Sequence, residues 1–526
     1  MVVYTARSRK MEHLIRAKGS GVGSMERMGN VGDRILDYLH DDPEHVLMAL
    51  DMDYDGDTDV YKVNVKSRKR TFHFRGKFGL TNWELDQDKQ VRWGTGYKAG
   101  KRIAYYLNPL TEKWQAMDEV DWYKNAKLSP IMFFADPRFA YVYYQTENDL
   151  KGIAKFDMIE GKIVEKIYAN DSVDVSGIAL SPETGKVIGT TYTGHYPEIH
   201  FTSKQFESLY GQIRGIFADG WVSIVDMNME KKIFIIYQSS NKFPGAYYYL
   251  DGKTGELVHL LDVNPLLDTT LLSEVSPVHY NARDNLIIPG YLTLPKDKGF
   301  NKLPTIIFPH GGPGARDTMS YDRWAQYFAS RGYAVLQPNF RGSTGYGDEF
   351  QDMGEKQWGG TMQDDVTDGT KWMIEEGIAD PENICIAGIS YGGYAALMGA
   401  VKEPDLYKCV ISINGVADLP GLISNDRQYV GGRAWSKSIG LEGENTKIVS
   451  PYHQAEKIIA PVLIVHSRDD SRVPYKQGKN MARKLSRLKK DVTYVEVENG
   501  DHSLDTEGAR LATFNALDEF LKKHLN

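Results

Sequence analysis

Ser390 lies in Gly388-Ile-Ser-Tyr-Gly392, between four apolar residues, Ile384 to Ala387, and the small-residue run Tyr394 to Val401. A short buried strand, a tight turn and a helix in that order form a nucleophile elbow, which lifts a serine hydroxyl above the end of a sheet. The geometry explains the glycines. The serine's backbone is strained, and a Cβ at 388 or 392 would collide with the neighbouring strand or helix. The helix start also aims backbone N–H groups at the place where an oxyanion would form. A serine hydroxyl is a weak nucleophile at neutral pH. An imidazole must take its proton and return it to the leaving group, and a carboxylate must fix the imidazole's tautomer. With 50 glycines in the chain, G-x-S-x-G can also arise by chance; its partners decide.

Partners are sought where open α/β sheets place their sites, beyond the carboxyl ends of strands. His310 follows Ile306–Phe308 and opens His-Gly-Gly-Pro-Gly314. The doublet Asp469-Asp470 follows Val462–His466, and His502, in Asn499-Gly-Asp-His-Ser503, follows Val492–Val497. Ser390, an acid and His502 fall in the chain order of α/β-hydrolases. His310 precedes two glycines after a strand, which suits an oxyanion loop better than a general base. His453 and His466 lack such loop context, and His466, at a strand end, reads as structural.

The surrounding elements support this site. Strand-like Leu286–Leu294 and Pro304–Pro309 lead into a Tyr321–Arg331 helix, a Tyr333–Pro338 strand and a Thr361–Gly377 helix. Strands at Val410–Ile413, Val462–His466 and Val492–Val497 follow the elbow. Alternating β and α elements predict a mainly parallel sheet covered on both faces, an α/β-hydrolase domain over residues 273–526.

Residues 1–272 have another texture: short strands rich in tyrosine and phenylalanine, separated by turns. Asp59–Val65, Ile103–Leu107, Gly152–Phe156, Glu198–Phe201 and Gly245–Leu250 recur as closing strands. Their starts lie roughly 43 to 49 residues apart, the length of a four-stranded propeller blade. An all-β propeller of five or six blades is expected. The segment to about residue 40 reads as irregular, and Gly19-Ser-Gly-Val-Gly23 as a loop. It is not a phosphate loop, for no Gly-Lys-Ser/Thr follows. Asp51-Met-Asp-Tyr-Asp-Gly-Asp-Thr-Asp59 has the alternating oxygen ligands of a calcium loop. Lys62 stands where the closing glutamate belongs and strands flank the segment, so an acidic hairpin turn is expected.

At 526 residues the chain calls for more than one core. A net charge of −7 without a dense basic run argues against a nucleic-acid surface. Apolar runs fall far short of the ~20 residues of a membrane helix. The start, Met1-Val-Val-Tyr-Thr-Ala-Arg7, lacks a secretory apolar segment, so a cytoplasmic location is expected. Two cysteines cannot build a disulfide framework, and Cys385 and Cys409, each in a strand, read as buried thiols.

Five motifs carry a resemblance to the prolyl oligopeptidase family of serine peptidases, especially its acylaminoacyl-peptidase and dipeptidyl-peptidase-like branch. They are His310-Gly-Gly-Pro313, Asn339-Phe-Arg-Gly-Ser-Thr-Gly-Tyr-Gly347, Gly388-Ile-Ser-Tyr-Gly-Gly393, Asp470-Ser-Arg-Val-Pro474 and Gly500-Asp-His502. The resemblance implies a triad of Ser390, Asp470 and His502, with Asp470 rather than Asp469 the acid. It implies an oxyanion hole from the N–H groups of Tyr391 and Gly312, with Gly311 the alternative second donor. Arg472 matches a position that can approach substrate; a surface salt bridge is its other reading. The implied activity is cleavage of short, acylated or aminoacyl peptides through an acyl-enzyme. A carboxylesterase with the same triad is the rival, and a non-catalytic propeller scaffold the remote alternative. Neither metal nor organic cofactor is implied. The paired glutamates that hold a free substrate N-terminus in the dipeptidyl branch are not recognisable, and the propeller is short of the family's seven blades. Exposed edge strands on a short propeller are compatible with a homo-oligomer.

Overall fold

The computed structural model describes every residue except 1, 6–9, 14–33, 53–56, 99–100, 127, 297, 428–435, 437–444 and 526. Gly19–Gly23 lies outside the described residues. Within the N-terminal stretch expected to be irregular, Val2–Thr5 and Lys10–His13 pair as an antiparallel ribbon.

Five sheets then follow one another at residues 34–74, 80–116, 130–168, 175–201 and 221–262. Four have four strands and the fourth has three, each with its strands in chain order, and together they make a five-bladed β-propeller. The aromatic strands recognised from sequence are the third strand of each sheet: Asp59–Asn64, Lys101–Asn108, Lys151–Asp157, Pro197–Phe201 and Phe243–Asp251. Pro197–Phe201 closes its three-stranded sheet, but the other four do not close theirs. In four sheets an outer strand follows, such as Lys162–Tyr168 or Glu256–Asp262. Most residues of these two are exposed, so neither carries the alternation that marks a half-buried strand. The acidic segment joins neighbouring antiparallel strands, with Leu50 opposite Asp59. Residues 53–56 within it lie outside the description. Lys62, at the would-be closing position, pairs instead with Asp42 at 2.7 Å.

The C-terminal half is built on one eight-stranded sheet. Its strands are β1 (Val275–Asn281), β2 (Ile287–Thr293), β3 (Leu303–Ile307), β4 (Ala334–Pro338), β5 (Ala379–Ile389), β6 (Cys409–Ile413), β7 (Val462–Ser467) and β8 (Val492–Val497). Their spatial order is β1-β2-β4-β3-β5-β6-β7-β8, with the β1–β2 and β2–β4 pairs antiparallel and the rest parallel. The main helices are α1 (Arg323–Ser330), α2 (Thr361–Glu375), α3 (Tyr391–Lys402), α4 (Lys476–Arg487) and α5 (Glu507–His524). Central strands such as β4, β6 and β7 are buried at every residue, as expected of a sheet covered on both faces. Phe308, Phe328, Ile411, Leu463 and Leu517 share one apolar core.

One expectation is corrected here. Cys385 and Cys409 are direct partners in the β5–β6 register and form a disulfide rather than two thiols. Their Cα atoms are 4.6 Å apart, which a disulfide can span. A count of two cysteines excludes a framework, but it cannot reveal a pair brought together by strand register.

The change from antiparallel sheets to the mixed sheet falls between Asp262 and Val275. The main boundary between the two compact units lies between Thr191 and Tyr192. The fifth sheet therefore belongs to the same unit as the eight-stranded sheet. Among the described residues, no helix is long and apolar enough to cross a membrane.

Candidate active site

Ser390 sits between β5 and α3 with φ 60° and ψ −120°, a strained conformation for a residue with a side chain. The helix starts at Tyr391, immediately after the serine. A Cβ on Gly388 would lie 2.3 Å from the Gly392 carbonyl carbon, and one on Gly392 would lie 2.1 Å from the Pro309 oxygen. Neither position can carry a side chain without moving the elbow. The Ser390 N–H donates to the Ile413 carbonyl at 3.0 Å, which registers the turn against β6.

The His310–Gly314 loop lies beside the serine. A Cβ on Gly311 would be 3.4 Å from Ser390 Cβ and 4.0 Å from its Oγ. Gly312 has φ +123°, where only glycine is comfortable. His310 is buried, stacks on Phe340 and has both ring nitrogens engaged. Nδ1 lies 2.7 Å from the Gly311 oxygen and Nε2 lies 2.8 Å from Ser343 Oγ. Burial pushes its pKa down to about 4. The ring is therefore neutral, its Nδ1–H donating to the Gly311 carbonyl. It holds the loop.

Beyond β7, Asp470 is buried and uses both oxygens. Oδ1 accepts the N–H groups of Arg472 and Val473, each at 2.8 Å. Oδ2 lies 2.7 Å from Nδ1 of His502, which follows β8. Asp469 is exposed; its N–H donates to the Gly500 carbonyl at 3.1 Å. The doublet is thereby resolved in space. The Arg472 side chain is exposed and makes no salt bridge among the described residues. Tyr391, 2% exposed, packs its ring against Phe340 and Trp358.

Two neighbours adjoin these residues: His466, read from the sequence as structural, and Asn414, passed over there. His466 is fully buried, with Nε2 3.0 Å from the Val473 carbonyl and 3.8 Å from Asp470 Oδ2. Burial lowers its pKa, so it faces the acid as a neutral ring. Asn414, directly after β6, is also fully buried. Its Asn-Gly pair at a strand end was the available signal, because asparagine tolerates the left-handed backbone found there, φ +47°. His453 lies elsewhere, 3.3 Å from Asp418.

Residues 319–526 match the model of the prolyl oligopeptidase family. The C-terminal part of the chain is similar to that family. Dipeptidyl aminopeptidase BIII of Pseudoxanthomonas mexicana is 28% identical over 475 residues, 88% of this chain and 68% of the relative. Acylamino-acid-releasing enzyme 2 of Oryza sativa subsp. japonica is 27% identical over 237 residues, 42% of this chain and 30% of its own. Among solved structures, an acylaminoacyl peptidase of Pyrococcus horikoshii aligns over 100% of this chain and 84% of its own. Its TM-score is 0.67 at 21% identity, a likeness of fold. By these likenesses the chain is a serine peptidase, with the propeller and hydrolase sheet described above.

Proposed function

We propose that the chain hydrolyses short peptides, acylated or aminoacyl peptides among them, through an acyl-enzyme on Ser390. The observation that carries this is the 2.7 Å contact between Asp470 Oδ2 and His502 Nδ1, beyond the carboxyl ends of β7 and β8 in the same sheet as the elbow strand β5. In this reading Asp470 holds His502 with Nδ1 protonated, which leaves Nε2 free to take the serine proton. The hydroxyl oxygen attacks the carbonyl carbon, and the N–H groups of Tyr391 and of Gly312 or Gly311 receive the oxyanion. His502 then protonates the leaving amine, and water repeats the sequence to release the acyl group. Exposed Arg472, on the acid loop, is available to a substrate carbonyl or carboxylate.

The test is paired turnover of aminoacyl and acylated peptidyl p-nitroanilides and of short p-nitrophenyl esters, with Ser390→Ala as control. Anilide cleavage that disappears in the variant supports the peptidase reading. Ester turnover alone would make the chain a carboxylesterase. Full activity in Ser390→Ala would remove the nucleophile from the proposal.

A further inference from the structure

Three loops must meet for the proposed triad to work, and they leave three different strands. The turn after β6 touches all of them through two consecutive residues. The Ile413 carbonyl accepts the Ser390 N–H at 3.0 Å. Asn414 Oδ1 accepts the backbone N–H of Ser467, the last residue of β7, at 2.7 Å. Asn414 Nδ2 lies 3.2 Å from Ser467 Oγ, 3.3 Å from the Asp501 carbonyl and 3.0 Å from the His502 carbonyl. Its own N–H donates to the Val465 carbonyl at 2.8 Å. One side chain therefore joins the start of the acid loop to the backbone of the histidine itself.

We propose that Asn414 is a positioning residue of the active site, setting His502 against Asp470 and both against Ser390. This rests on the triad reading given above. The position asks for what asparagine supplies. Its φ of +47° is left-handed, a region asparagine enters more readily than most residues. Only a side-chain amide of this length offers an acceptor to one loop and donors to the next. The side chain is fully buried, so no water stands in for a lost partner, and an unmet carbonyl there is costly. The surroundings leave little room to adjust. A Cβ on Gly415 would lie 2.1 Å from Ser412 Oγ, and one on Gly393 would lie 2.9 Å from Gly415 Cα. The turn is thus pressed against the start of α3, one turn beyond the nucleophile. A Cβ on Gly500 would lie 2.9 Å from Ser467 Oγ, so the histidine loop also rests on the residue Asn414 holds.

The effect should appear in the chemical step. A misplacement near 1 Å at reacting groups can cost on the order of a hundredfold in rate. Asn414→Asp keeps the size and the acceptor for Ser467 but turns an oxygen toward the carbonyls of Asp501 and His502. Asn414→Gly keeps the left-handed backbone and removes the amide. Both are measured on the p-nitroanilide or ester that the parent cleaves, at a temperature where circular dichroism shows them folded. The expected result is a kcat lowered about a hundredfold with KM unchanged. In a His502→Ala background, Asn414→Asp should add no further loss, because the residue acts through the histidine. Folded variants with parental kcat overturn the proposal. So does a raised KM with kcat intact, or a loss that multiplies with that of His502→Ala. If Asn414→Asp does not fold, Asn414→Gly carries the test. Should His502→Ala itself stay active, the triad reading falls and this inference with it. Should His502→Ala be inactive while the Asn414 variants run at the parental rate, only the inference falls.

Discussion

The two oxygens of Asp470 do different things: one is tied to two backbone N–H groups and the other faces His502. An asparagine at 470 would keep the shape but present N–H to Nδ1, favouring the tautomer that cannot accept the serine proton. Asp470→Asn should lower kcat by about 10³- to 10⁴-fold, while exposed Asp469→Asn leaves it unchanged; parallel initial rates decide. His310 gives a second prediction, on stability. Its folded pKa, about 4, lies below the ordinary value near 6.5, so the unfolded chain binds the proton first. Its stabilising contribution is complete above pH 6.5 and is lost as pH falls toward 4, by about 3 kcal/mol in all. His310→Asn removes this titration, so its denaturant-derived stability should fall less than the parent's between pH 7 and pH 4.5. Equal slopes would show that the buried ring does not stay neutral. At this scale the sequence was most legible. Spacing within a turn is local, so Gly388-x-Ser390-x-Gly392 and Gly500-Asp-His502 declare their geometry. The Cys385–Cys409 bond and the grip of Asn414 were not legible, because each joins residues that only the register of the sheet brings together.

Among elements, the elbow is a tight fit. Gly392 lies under the Pro309 carbonyl with no space for a methyl group, so Gly392→Ala must displace either the His310–Gly314 loop or Ser390. The expected outcome is loss of turnover and of fluorophosphonate labelling at Ser390 together. Retained labelling at the parental rate would show that the two loops can part without harm. Helix α1 offers a milder case. Asp322 caps it, accepting the N–H groups of Trp324 at 2.9 Å and Ala325 at 2.7 Å. Asp322→Ala should cost about 1 kcal/mol, read as a lower urea midpoint with an unchanged slope. Both elements were visible in the sequence, since the elbow glycines and the helix period are local signals. The propeller was visible in its spacing but not in its phase. Aromatic third strands such as Phe243–Asp251 stand out, whereas an outer strand such as Lys162–Tyr168, exposed along most of its length, shows no periodic burial to read.

For the molecule as a whole, composition and packing mark different borders. Aromatic texture gives way to alternating β and α near residue 272, whereas the compact units divide between Thr191 and Tyr192. The first border records which secondary structure the residues prefer, and the second records which elements share surroundings. Gln326 of α1 shows why the fifth sheet goes with the catalytic one. It is 2% exposed, and its Oε1 accepts the Ser273 N–H at 2.8 Å. Its Nε2 donates to the Ser273 carbonyl at 2.8 Å and to the Asn241 carbonyl at 3.1 Å. One helical side chain thus closes a polar junction between the last propeller sheet, the connecting segment and the hydrolase core. Lys242 and Glu274 pair beside it. Gln326→Leu preserves volume yet leaves three buried backbone groups without partners, each worth about 1–3 kcal/mol when unmet. Relaxation of the connecting segment will recover part of that, so a net loss on the order of 3 kcal/mol is expected. The loss should appear as a lower thermal midpoint of the unit that includes residues 192–426. Kinetic constants measured below that midpoint should stay at the parental level, since Gln326 touches none of the residues that hold Ser390, Asp470 or His502. A midpoint equal to the parent's would mean that the fifth sheet is held to the catalytic half by its apolar packing alone.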